Sequence, residues 1–302
     1  MRQEFIRTLK EQIKEGAVME QEPMSRHTSF QVGGPAAFFV EPGNRRELKA
    51  AIELAGEQEV PCFVTGNGTN LLVSDEGYDG LIIHIGKLLS GISVSDNLVE
   101  AEAGASLAKI ARAAHEHGLS GMEFAAGIPG SLGGAVAMNA GAYGGEMKDI
   151  LIDVDVLTPE GEFLRVPAGQ MDLSYRHSCV FERDYIVLGA RMSLTPGDPR
   201  QILDRRNELA ARRREKQPLE YPSAGSTFKR PEGYFAGKLI QDAGLKGYTV
   251  GGAQVSEKHS GFVINKGGAE AEEIRFLIRQ VQKKVGRQFG VMLETEVRFL
   301  GF

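Results

Sequence analysis

Three side chains in this sequence stand in settings where they could do chemistry. Arg176 lies between Tyr175 and His177 in the run LSYRHSCVF. The planar fork of an arginine suits a carboxylate or a phosphate, although a surface arginine in a loop would look the same. Ser226 lies between Gly225 and Thr227 in YPSAGSTFKRPEG, with Lys229 and Arg230 close behind. Small neighbours would expose its hydroxyl, and the cations would attract an anion. The frame Ala224-Gly225-Ser226-Thr227-Phe228 is not the G-x-S-x-G elbow of a nucleophilic hydrolase. A hydrogen-bonding or proton-donating serine and a plain polar turn both fit. In LETEVRFL, at residues 293–300, strand alternation would put Glu294, Glu296 and Arg298 on one face. A solvated Glu–Arg pair is the competing reading there, and Leu293, Val297 and Phe299 leave the register open.

Two glycine-rich loops accompany these residues. TGNGTNLL covers residues 65–72, and GIPGSLGGAVAMNAGAYGG runs from residue 127 to 145 with seven glycines and no charge. An uncharged run of that length raises the question of a membrane span. Pro129, Asn139 and the glycines break helices and leave little apolar surface, which argues against it. Glycines let backbone N–H groups converge into a nest for phosphate oxygens, or simply make tight turns. Neither loop is the dinucleotide fingerprint or a Walker A loop, since the first reads Gly66-x-Gly68-x-x-Leu71 and no GK[ST] follows. Two such loops in one chain favour a long diphosphate ligand. The basic stretch ILDRRNELAARRREKQP is either a solvated, charge-laced helix or an arginine patch for phosphates. His115 and His117, two apart on a helix, face different directions, so no metal site is expected.

The elements that must position these groups fall into three blocks, 1–87, 88–200 and 201–302. The first holds an amphipathic helix, the strand AAFFVEP and a helix over 45–58 with Leu48, Ala51, Ile52 and Ala55 on one face. Strands PCFVTG and LIIHI follow, separated by a polar loop, which suggests a βαβ unit. The second block holds a helix over 105–118 and a hairpin around Pro159-Glu160-Gly161. PGDP at 196–199 marks a boundary, and the third block holds the basic helix, a helix over 271–289 and a final strand over 293–300. The expected class is α+β.

Bulk properties narrow the function classes. The chain has 302 residues, 42% hydrophobic and 25% charged, which is ordinary for a globular protein of two or three domains. Glycine is the outlier at 38 residues, nearly double the usual share of ~7%. A net charge of −5 argues against nucleic acid as the main partner. Cys62 and Cys179 are the only cysteines and form no CxxC motif, so neither a zinc site nor a disulfide framework is expected. The N-terminus is charged and carries no apolar signal segment, so the expected compartment is the cytoplasm.

Composition and spacing lead to a diphosphate ligand and an anionic substrate, and stop there. The runs HTSFQVGGPAAFFVEP, TGNGTNLLVSD, GIPGSLGGAVAMNAGAYGGE, YRHSCVF, AGSTFKRP, AGKLIQDAGLKG and LETEVRFLG occur in this order from about residue 22 to the end. Together they resemble the UDP-N-acetylenolpyruvoylglucosamine reductase family of bacterial peptidoglycan synthesis. The compact third block resembles its second class, which lacks an inserted tyrosine-bearing loop.

The resemblance implies an FAD-binding fold of the vanillyl-alcohol-oxidase type, made of two α+β subdomains, followed by an α+β substrate domain. It implies non-covalent FAD held by Gly66, Asn67, Gly68, Thr69 and Asn70 in the first loop. In the second it implies Gly127, Ile128, Pro129, Gly130, Ser131, Gly133, Gly134, Ala135, Asn139, Gly141 and Ala142. NADPH would reduce the flavin, and hydride would then pass to the enolpyruvyl double bond of the UDP-sugar. Arg176 and Glu296 match the family's enolate-stabilising residues, and Ser226 matches its proton donor. A glutamate facing a substrate carboxylate should be held protonated by like charge and desolvation. Tyr175, Arg213, Lys229, Asn265 and Arg298 are the expected substrate contacts. No metal, nucleic acid or membrane partner is implied, and a monomer is expected. Two alternatives stand beside this: an oxidase of the same fold with its flavin tethered through His27, and a non-catalytic nucleotide-sugar module.

Overall fold

The computed structural model describes residues 2–302. Helix Arg2–Gln12 buries Phe5, Ile6 and Leu9, and the Phe5 and Phe38 rings meet at 4.8 Å. Helix Arg45–Glu57 begins at Asn44, whose side chain accepts the N–H groups of Arg46 and Glu47. Strand Pro35–Glu41 precedes it, and strand Cys62–Thr65 follows and pairs in parallel with Tyr78–His84. In the four-stranded sheet Tyr78–His84 lies between those two strands, after Ala17–Pro23 and Pro35–Glu41. The strand–helix–strand expectation therefore holds, with a third strand inserted between its two β elements.

The second sheet has five antiparallel strands in the order Phe163–Pro167, Leu151–Leu157, Ile186–Ser193, Leu98–Glu102, Ile92–Ser95. Its first two strands are the hairpin expected around residues 159–161. Helices Leu107–Glu116, Leu132–Ala137 and Pro199–Lys216 accompany it. The last has only Ile202 and Leu209 buried, and Glu208 pairs with both Arg205 and Arg212. It is largely the solvated, charge-laced helix of the two readings above.

The chain forms two compact units made of interleaved segments, not contiguous blocks. Unit 1 comprises residues 1–20, 38–67 and 80–213, and unit 2 comprises residues 21–37, 68–79 and 214–302. Unit 2 is organised around helix Ala271–Phe289, whose Ile274, Leu277, Ile278, Val281 and Val285 are buried against Phe30, Leu72, Phe228 and Val297. That helix opens with a Glu270–Glu273 capping box and ends at Gly290, which has φ +69°. Asp75 accepts the N–H groups of Ala271 and Glu272, a cap supplied from far away in the sequence. A three-stranded antiparallel sheet, Thr249–Val250, Ala253–Val255 and Val263–Asn265, lies in the same unit.

Two sequence expectations change here. The polar loop after Thr65 contains a buried strand, Leu71–Val73, which pairs in parallel with Arg298–Leu300. The final strand is only those three residues, with an isolated antiparallel bridge Phe228↔Thr295 before it. Residues 293–297 therefore face a partner of opposite direction from residues 298–300. No single alternation covers all eight positions, which is why the sequence left the register open.

Candidate active site

In unit 1 the two glycine-rich loops meet. A Cβ on Gly66 would clash with Ser131 Oγ, so the two loops pack against each other at this glycine. Asn67 donates its side-chain amide to the Pro129 carbonyl at 3.3 Å. Gly130 and Leu132 are tied to residues 105–107, through Leu107 N–H to Gly130 O and Leu132 N–H to Ala105 O. Ser131 is buried, yet its hydroxyl makes no capping bond to the helix it precedes. Gly133, Gly134 and Ala135 lie in that helix, and Gly141 and Ala142 form a two-residue strand paired with Gly145–Glu146.

Arg176 in unit 1 is held in a tight turn. Ser174 and His177 exchange backbone bonds of 3.2 and 3.1 Å, and Arg176 occupies the second corner with φ +56°. That corner favours glycine, and an L side chain there costs on the order of 1–2 kcal/mol. Gln21, Gln31, Glu59 and Asp184 share this backbone region, so the φ value by itself assigns Arg176 no role. Its guanidinium reaches the Gly141 carbonyl at 3.5 Å and stacks 5.2 Å from the centre of the exposed Tyr175 ring.

Arg213, expected among the substrate contacts, stands against the second glycine-rich loop: a Cβ on Gly127 would lie 3.4 Å from its Cδ. Desolvation holds its guanidinium below the ordinary arginine range, with Tyr143 opposing that shift. His177 Nε2 lies 3.0 Å from Asp172 and 3.8 Å from Glu182. These three make the one metal-capable cluster among the described residues. His115 and His117 bond separately, to the Pro199 and Ala113 carbonyls.

Unit 2 places Ser226 and Glu296 on paired backbone segments. Ser226 is exposed and Glu296 half-buried. The Phe228↔Thr295 bridge is flanked by bonds from Glu296 N–H to Thr227 O and from Lys229 N–H to Glu294 O, both 2.9 Å. Thr227 is fully buried and its hydroxyl accepts the Val263 N–H, locking the segment beside Ser226. Asn70, expected at the cofactor, donates its amide to the Glu296 carbonyl at 2.9 Å and thereby fixes the glutamate's backbone. Gly68 has φ +59° and packs on the His27 carbonyl, which a Cβ there would strike. Lys229 pairs with Glu294 at 3.2 Å, and desolvation lowers the pKa of Arg298 below the ordinary arginine range. Asn265 is buried and tied into the fold by bonds to Phe30 O, Gly267 N–H and Ala269 N–H. His27, the candidate flavin tether, has its Nε2 3.0 Å from Glu22.

The matching sequence families follow these features. Residues 36–167 match an FAD binding domain, and residues 217–300 match the C-terminal domain of UDP-N-acetylenolpyruvoylglucosamine reductase. The reductase of that name from Agathobacter rectalis is 55% identical, covering 100% of this chain and 99% of the relative. The chain belongs to the UDP-N-acetylenolpyruvoylglucosamine reductase family. Another reductase, from Caldanaerobacter subterraneus, is 52% identical over 98% of each chain. The crystal structure of UDP-N-acetylenolpyruvylglucosamine reductase from Thermus caldophilus is similar with a TM-score of 0.81 and 35% identity, covering 94% of this chain and 98% of that one. The fold is thus the FAD-binding fold of the vanillyl-alcohol-oxidase type with the reductase C-terminal domain, and this family member is an FAD-dependent oxidoreductase.

The residues present fit FAD. Among the described residues, no acceptor in the chain takes the N–H groups of Gly66, Asn67, Gly127, Gly130 or Ser131. Backbone donors without internal partners, in loops nearly free of charge, suit pyrophosphate oxygens. No helix of the described residues is long and apolar enough to cross a membrane.

Proposed function

We propose that this chain reduces the enolpyruvyl double bond of UDP-N-acetylenolpyruvoylglucosamine, with NADPH as hydride donor, giving UDP-N-acetylmuramate for peptidoglycan synthesis in the cytoplasm. The observation that carries the reading is the Phe228↔Thr295 bridge, which pairs the segment of Ser226 with that of Glu296. The names of the full-length relatives support the substrate.

Bound FAD supplies the hydride. Addition at the terminal vinyl carbon leaves negative charge on the adjacent carbon, spread into the carboxylate. Arg176 stabilises that charge as it develops. Glu296, held protonated, donates a hydrogen bond to the same carboxylate without repelling it. Ser226 gives its proton to the carbanionic carbon, a base strong enough to take it, and recovers one from solvent. Tyr175, Arg213, Lys229, Asn265 and Arg298 bind the substrate. The enzyme works as a monomer without a metal ion.

The test is the visible spectrum of the purified protein, followed anaerobically. Flavin bands should bleach with NADPH and return with the enolpyruvyl UDP-sugar. Bands that return only when oxygen is admitted would replace this reading with an oxidase.

A further inference from the structure

Asn139 lies in the second glycine-rich stretch, where the family resemblance implies a cofactor contact. It is 1% exposed and has φ +40°. Its side-chain amide makes three hydrogen bonds within unit 1. The oxygen accepts the Lys148 N–H at 2.9 Å, and the nitrogen donates to Glu146 Oε2 at 2.7 Å and to the Ser174 carbonyl at 2.9 Å. Both N–H donors are used, and the oxygen accepts one of the two bonds its lone pairs allow. The opposite amide orientation would set oxygen against two oxygens.

The Ser174 carbonyl is also the oxygen that accepts the His177 N–H and closes the turn carrying Arg176. The other end of the turn is tied to the same stretch, because Ser178 Oγ donates to the Ala137 carbonyl at 2.6 Å. The guanidinium of Arg176 itself reaches Gly141 O. Residues 137–141 therefore grip the turn at both ends and at its tip, and Asn139 is the only one of them that does so through a side chain.

We propose that Asn139 is a positioning residue for Arg176: its amide fixes the Ser174 carbonyl, and with it the corner that aims the guanidinium. This rests on the charge-stabilising role given to Arg176 above. Misplacing a catalytic group by about 1 Å can slow a reaction by about 100-fold, so the clamp has kinetic leverage without touching substrate.

The experiment is anaerobic stopped-flow on the holoenzyme, reading flavin reduction by NADPH and reoxidation by the enolpyruvyl UDP-sugar separately. Asn139→Gly tolerates the positive φ and removes the amide. It should reduce at the wild-type rate and reoxidise about 10- to 100-fold more slowly. In an Arg176→Ala background the same change should add less than about twofold, because both act through one group. Should Asn139→Gly not retain flavin, Asn139→Asp with Glu146→Gln re-forms the 139–146 bond in reverse. It sets a carboxylate oxygen against the Ser174 carbonyl in place of a donor, turns the Lys148–Glu146 ion pair into a neutral contact, and should show the same selective loss. Wild-type reoxidation in these variants, equal losses in both half-reactions, or additive losses with Arg176→Ala would each overturn the proposal. If Arg176→Ala alone reoxidises normally, the role of Arg176 is what fails, and the clamp's kinetic role fails with it.

Discussion

The Glu296 N–H donates to the Thr227 carbonyl at 2.9 Å, so the glutamate and the Ser226 hydroxyl belong to paired segments one register step apart. Nothing covalent links these residues closely in sequence. The Phe228↔Thr295 bridge brings them together, and the amide of Asn70 secures the Glu296 carbonyl from a third segment.

If Ser226 is the proton donor, Ser226→Ala should leave flavin reduction unchanged and slow reoxidation by about 100- to 10,000-fold. Glu296→Gln keeps a neutral hydrogen-bond donor, so it should retain about tenfold more activity than Glu296→Ala. Single-turnover absorbance with each variant checks both, and equal activity of the two Glu296 variants would sink the protonated-acid role.

Arg176 sits at a glycine corner, and stability and activity should therefore part company. Arg176→Gly should be more stable than Arg176→Ala by about 1–2 kcal/mol, because only glycine takes φ +56° without strain. Both should lose reoxidation alike. Denaturant unfolding beside kinetics decides it, and equal stability of the two would mean that the turn relaxes.

The contact between the glycine-rich loops can be tested by a clash and its relief. Gly66→Ala places a methyl group against Ser131 Oγ and should weaken FAD retention. Adding Ser131→Ala removes that oxygen, and the nearest remaining Ser131 atom is 3.4 Å away, so the double variant should recover flavin. Flavin content after gel filtration reads the result. A double variant no better than the single one would show that the loops do not meet through these atoms.

Glu47 anchors the other side of unit 1. Burial alone would raise its pKa, but N–H groups of Glu15, Gly43, Lys14 and Gly16 bind the carboxylate and bring it below the ordinary value of 4.5. A lowered folded value means that its contribution to stability is complete above about pH 4.5 and is lost as pH falls through the folded value. Glu47→Gln should cost about 2–4 kcal/mol at neutral pH by leaving buried donors without a carboxylate. It should also flatten the acid limb of a stability–pH curve measured by denaturant titration. An unchanged acid limb would mean that Glu47 does not govern it.

Much of the fold was legible because its signals are local. Helix Ala271–Phe289 announces itself through apolar spacing, acidic residues at its start and Gly290 at its end. The hairpin of Leu151–Leu157 with Phe163–Pro167 follows from alternation around a glycine turn. The strand Leu71–Val73 did not, because a three-residue apolar run among Gly, Asn, Ser and Asp carries too little periodicity to stand out, and its partner lies at the far end of the chain. The interleaving of segments 21–37 and 68–79 with the C-terminal residues escaped for the same reason.

The site residues divide along similar lines. Residue type made Arg176, Ser226, Glu296 and both glycine loops candidates beside plain structural readings, and only the resemblance to the reductase family chose between them. Tertiary structure alone decided which asparagines serve as clamps: Asn70 on Glu296, Asn139 on the Arg176 turn and Asn265 on Phe30. The physical reason is that an amide's role depends on which oxygens and N–H groups surround it. Those partners lie up to 235 residues away and meet it only once the chain has packed.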